Sequence, residues 1–201
     1  NLAYDTGSSA LLDNVMEALS PQDGDFIRSQ TEFSQYLDGT GWLGSLSQME
    51  IGHSYQIKLN SSDELWFAGN PVDLSSTQIG YEAGWTWIGY LPRKILPVND
   101  ALQNLNAGHG DRIKSQSQFA EYDNNSGNWI GSLQYMQPGE GFLLRSATGG
   151  VFTYSNPILN SKSGSGSDFS GQTKQMLLST GPEWIVYPSD YEHSMNMIGI
   201  L

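Results

Sequence analysis

Apolar side chains recur along this chain at two spacings. Over Leu12, Val15, Met16 and Leu19, and again over Ala101, Leu102 and Leu105, they fall three and four residues apart, the period that lines one face of a helix. Pro97-Val98-Asn99-Asp100 offers cap chemistry ahead of the second of these. Residues 113–116, 119–122, 129–133, 141–145 and 151–154 instead read as short strands, separated by Gly, Asn, Asp and Pro turns. In GWTWIGYLP, residues 84–92, Trp85, Trp87 and Gly89 alternate with Thr86 and Ile88 as a strand requires. The pattern predicts a mostly β protein with one short helix per unit.

The units are copies. GDFIRSQTEFSQYLDGTGWLGSL, from Gly24, returns as GDRIKSQSQFAEYDNNSGNWIGSL, from Gly110, a shift of 86 residues that is too long for a solenoid repeat and suits a small duplicated module. Asp25 matches Asp111, Ile27 matches Ile113, Arg28 matches Lys114 and Ser29-Gln30 matches Ser115-Gln116. After one extra residue in the second loop, Gly44-Ser45-Leu46 matches Gly131-Ser132-Leu133, Met49 matches Met136 and Gly52 matches Gly139. Both copies close on Asn-Pro, at Asn70-Pro71 and Asn156-Pro157.

The expected organisation is a first repeat over 1–71 lacking its leading strand, a second repeat over 72–158, a Gly/Ser-rich linker over 159–175 and the start of a further β domain over 176–201. Two tandem antiparallel β modules and a partial C-terminal β segment follow from it. The last run, residues 195–201, reads as an apolar strand that needs a sheet to pair with. Pairing of that strand with the incomplete first repeat of a neighbouring subunit would give fibres, and pairing within a larger protein is the alternative.

Charge narrows the partners. Lys+Arg 9 against Asp+Glu 21 leaves a net charge of −12, which repels phosphate backbones and anionic membranes alike. No apolar run reaches the length of a membrane span. Zero Cys excludes disulfides and thiolate chemistry, while 23 Gly, 6 Trp and 10 Tyr describe the turn-rich, aromatic-filled composition usual in extracellular β proteins.

With GWTWIGYLP, GDRIKSQSQFAEY, NWIGSL and MQPGEGFLL in view, the chain resembles a repeat of large secreted and cell-surface proteins of Bacteroidetes and related bacteria. The likeness covers most of 10–157 and, more weakly, 184–201. It departs at the first copy's missing leading strand and at His53-Ser54, where the second copy has Glu140-Gly141. The resemblance implies export, often by a type IX route, an extracellular or cell-surface location and an accessory or adhesive role; it carries no catalytic residue.

Chemistry is sparse. His53, His109 and His193 form no metal-ligand spacing, no nucleophile elbow is present, and Asp25, Asp111, Glu50, Asp123 and Glu140 are carboxylates that no spacing pairs for glycoside hydrolysis. The expectation is therefore a protein that is not an enzyme, needs no cofactor, and partners other domains, neighbouring subunits or glycans. DNNSGN, residues 123–128, gathers oxygen ligands as a calcium loop does but lacks the terminal bidentate Glu, so Asp123 and Asn125 are the candidate calcium ligands against a plain turn reading. Asp25 and Asp111, each after a Gly and before a strand, are expected to bind turn amides. Phe33 with Phe119, Tyr36 with Tyr122 and Trp42 with Trp129 recur in both copies and are expected to fill equivalent cores. Aromatics that the copies do not share, Trp66 and Tyr135, are the candidates for stacking on a sugar. The function expected is a non-enzymatic module serving as spacer, adhesive or assembly unit, with a carbohydrate-binding module appended to a secreted enzyme as the alternative.

Overall fold

A computed structural model describes residues 4–5, 10–65 and 69–155; the linker, the C-terminal segment and Trp66 lie outside the described residues. The fold is mostly β. In chain order the first part holds β1 (Tyr4–Asp5), α1 (Leu12–Val15), β2 (Phe26–Arg28), β3 (Phe33–Leu37), β4 (Gly41–Gly44), β5 (Gln56–Lys58) and β6 (Asn70–Pro71). The second holds β7 (Ile79–Tyr81), β8 (Gly84–Gly89), β9 (Leu96–Pro97), α2 (Val98–Ala101), β10 (Arg112–Lys114), β11 (Phe119–Asp123), β12 (Asn128–Gly131), β13 (Tyr135–Met136), β14 (Gly141–Ser146) and β15 (Gly150–Phe152).

The two copies build the same antiparallel meander. The first sheet has the order β4-β3-β2-β5 and the second β12-β11-β10-β14-β8, so the second differs by one added strand. Registers match: Ile27 faces Ser34 and Ile57, as Ile113 faces Ala120 and Leu144. That added strand is the predicted GWTWIG segment, which pairs along its whole length with β14, from Gly84 opposite Ser146 to Gly89 opposite Gly141. Among the described residues β5, the counterpart of β14, has no such neighbour. Three two-stranded ladders, β1 with β6, β9 with β13 and β7 with β15, complete the described β structure.

Each sheet covers its own core. Leu12, Val15, Met16, Leu19, Ile27, Leu46, Met49, Tyr55, Ile57 and Leu65 form one buried cluster, and Ile88, Tyr90, Leu102, Ile113, Leu133, Met136, Phe142 and Tyr154 belong to the other. Fully burying a large apolar side chain contributes about 1.5–3 kcal/mol, so both clusters are substantial. Ile51 packs against both.

The helices exist because their apolar faces are buried, since four residues are far too few to be stable alone. Beyond each helix the buried face continues through turns, with Leu19 N–H donating to the Met16 carbonyl at 3.0 Å and Leu105 N–H to that of Leu102 at 2.9 Å. The expected cap does not form at α2. Pro97 occupies the N-cap and has no side chain to bond with, and Asn99 turns away to accept the Trp129 N–H at 2.7 Å, tying helix to strand.

The six repeated aromatics do not share one environment, which corrects the expectation that all fill cores. Trp129 is buried, and Trp42, Tyr36 and Tyr122 are half-buried, packed edge to face as Tyr36–Trp42 and Tyr122–Trp129 pairs with centroids 5.6 and 5.4 Å apart. Phe33 and Phe119 are instead 51% and 52% exposed. The reason is strand alternation: Ser34 and Ala120 are the inward neighbours, which throws each Phe to the opposite face of its sheet.

Candidate functional site

The repeated Gly-Asp places a buried carboxylate at the same point of each module. Asp25 accepts the Gln22 N–H at 2.8 Å and the Asn60 N–H at 2.7 Å. Asp111 accepts the Gly108 N–H at 2.8 Å, the Ala147 N–H at 2.9 Å and the Ser146 hydroxyl at 3.0 Å. Both hold a turn to the end of β5 or β14, using both carboxylate oxygens. Gly-Ser-Leu has an equally local role: Ser45 and Ser132 hydroxyls accept the Phe33 and Phe119 N–H groups, each at 3.2 Å.

At the tip of the β11–β12 hairpin, Asp123 organises its own turn. One carboxylate oxygen accepts the Asn125 N–H at 3.2 Å and its side-chain amide at 3.1 Å, and the other accepts the Ser126 N–H at 3.1 Å. These donors, the Asn125 backbone foremost, hold the Asp123 carboxyl below its ordinary range. Asn125 thus turns a donor towards Asp123, and the carboxylate serves its own turn. Among the described residues no group of three or more His, Asp or Glu gathers in metal-binding fashion. His53 lies 3.3 Å from Glu50 and His109 3.7 Å from Asp123, both pairs at the surface.

Of the two ligand-stacking candidates, Tyr135 stands 60% exposed on β13, and Trp66 lies outside the described residues. Phe33 with Leu43, and Phe119 with Ile130, add two exposed apolar patches at matching places.

The most specific arrangement is one that the sequence did not flag, the seam where the first module meets β8. Strand β8 has one edge on β14; its other edge faces the first module. There the Gln30 carboxamide stands in for a neighbouring strand: its Nε2 donates to the Trp85 carbonyl at 2.8 Å, and its Oε1 accepts the Trp87 N–H at 2.9 Å. Further along, Gly89 N–H donates to the Gly52 carbonyl at 2.7 Å, and His53 bridges Ile88. The Arg28 guanidinium sits over the Trp87 ring, 5.3 Å from its centroid, while within the second module the Lys114 ammonium sits 4.8 Å from that of Trp85.

Small residues make the approach possible. A Cβ on Gly52 would collide with the Ile79 side chain, and one on Gly141 with Ser54, so Ser54 against Gly141 is part of the same contact. The place where the first copy departs from the second, His53-Ser54 against Glu140-Gly141, is therefore the seam itself. The only trace of the seam in the sequence is the repeated Ser-Gln, Ser29-Gln30 and Ser115-Gln116, which by itself does not name a partner strand.

Comparison with family models, curated proteins and solved structures finds no match.

Proposed function

We propose that the chain is a non-enzymatic extracellular module of a larger secreted or surface protein, and that it works as a spacer that holds neighbouring parts at a fixed relation. The observation that carries this reading is the seam. Gln30, Gly52 and Arg28 all engage the free edge of β8, which both couples the modules and covers an edge that would otherwise invite pairing with other chains. The resemblance to repeats of Bacteroidetes surface proteins supports export and an adhesive or assembly context. The net charge of −12 favours partners other than nucleic acid, and among the described residues no helix is long and apolar enough to cross a membrane.

Small-angle scattering on the chain and on Gln30→Ala tests the spacer. One well-defined separation of the two modules, broadened in the variant, is the expected result; a broad distribution in the unaltered chain would sink the idea.

A second reading, glycan binding, is favoured by the exposure of Tyr135. On a glycan array it requires a signal that falls in Tyr135→Ala and Trp66→Ala. Signal indifferent to both would remove these residues from consideration.

A further inference from the structure

The face of the second sheet turned away from its core carries cations that lack acidic partners. Across the strands one row runs Ile130, Glu121, Arg112, Arg145 and Trp85, and the next runs Phe119, Lys114, Leu143 and Trp87. Alternation puts Ala120, Ile113, Leu144 and Ile88 on the covered side, which leaves these rows outward. Arg112 and Arg145 stand directly opposite each other, a like-charged cross-strand pair that costs stability. Of the Lys and Arg side chains among the described residues, only Arg112 has an ion pair, with Glu121 at 2.6 Å. The exposed Lys114 and Arg145 have none, although the chain holds 21 acidic residues. Lys114 is held against the Trp85 ring instead, and Arg28 of the first module extends the pattern over Trp87.

We infer that this face binds a carboxylated glycan, a single polysaccharide chain that bears uronic acid residues. The Arg112 and Arg145 guanidiniums, with Lys114 beside them, receive a sugar carboxylate. An anion between the two guanidiniums turns a repulsive pair into a bridged one, and each planar fork matches the two carboxylate oxygens. The exposed Trp85 and Phe119 offer apolar surface beside those charges to the C–H groups of pyranose rings. An extended peptide finds little backbone to pair with, because Gln30 and Gly52 engage the edge at β8 and Asn99 the edge at β12. A duplex or a bilayer would also meet the acidic remainder of the surface. A single glycan chain stays within the face, and charges farther off than about 8 Å are largely screened at physiological salt. The inference goes beyond the spacer reading and is independent of Tyr135, which pairs with β9 outside this sheet.

Isothermal titration of the full chain with oligosaccharides of polygalacturonate, alginate and hyaluronan tests it. The expected result is that at least one binds, that affinity falls as salt rises, and that carboxyl reduction of that ligand abolishes binding. Arg145→Gln and Lys114→Gln each weaken it about tenfold or more. Relief of the like-charged pair leaves the thermal midpoint of Arg145→Gln equal or higher, which loss of a purely structural arginine would not do. No binding of any of the three, binding indifferent to both variants, or equal binding of the carboxyl-reduced ligand overturns the inference. Tighter binding of oligo(dT) assigns the face to single-stranded nucleic acid, and self-association by light scattering that both variants abolish assigns it to a second copy; either result overturns the glycan. Neither variant touches Gln30 or Gly52, so the spacer reading stands or falls separately.

Discussion

At Gly44 and Gly131 the chain passes so near the preceding strand that an added Cβ would collide with the carbonyl oxygen of Phe33 or Phe119. The repeated Gly-Ser-Leu is thus a device for close approach, with the serine hydroxyl closing the gap. Gly131→Ala is expected to lower stability by about 1–3 kcal/mol, and thermal or denaturant unfolding measures it. Asp111→Ala removes an acceptor from two amides and a hydroxyl, with an expected loss of about 2 kcal/mol or more by the same measurement. The Tyr154 hydroxyl is buried without a hydrogen-bond partner among the described residues, so Tyr154→Phe is expected to leave stability equal or higher. Burial also sets the alkaline limit. Loss of solvent pushes the Tyr55 phenol up from its ordinary 10 to about 12, and burial raises Tyr90 and Tyr154 as well. Since the raised value belongs to the folded state, the stability that depends on the protonated Tyr55 phenol is fully present below pH 10 and is expected to be lost as pH climbs from 10 through 12. Tyrosinate absorbance followed with circular dichroism should show delayed ionisation that coincides with unfolding. Free titration near the ordinary value with the fold intact would contradict it.

Elements were legible where burial repeats with a period. The strands of the second copy fall within a residue or two of the sequence expectation, because their inward positions alternate and Gly, Asn, Asp and Pro turns bound them. The helical faces were legible too, although only four residues of each are helical and turns carry the rest. Two things stayed hidden for physical reasons. An aromatic at strand spacing says that a residue lies on one face but not which face is covered, so Phe33 and Phe119 read as core yet stand in solvent. Asn99 has the chemistry of a cap, but the Trp129 N–H competes for the same oxygen and wins it. Asn99→Ala should therefore weaken the docking of α2 on β12, visible as faster exchange at Trp129, with little change in helix content. A loss of helical signal alone would restore the capping role.

For the whole molecule, the seam matters more than either module, and it left no periodic trace because Gln30 and Trp85 lie 55 residues apart. Gln30→Ala deletes two hydrogen bonds to β8, at an expected cost of about 1–3 kcal/mol to the coupling. Calorimetry should show one transition in the unaltered chain and a splitting or broadening in the variant. Two separate transitions before any substitution would mean that the modules are merely adjacent. A unit that takes a strand edge on its carboxamide loop and offers a different edge of its own has a front and a back. Rows of such units have a sense, like arrows. No two fronts can be joined by this contact, so the order of the two modules is written into the bond between them.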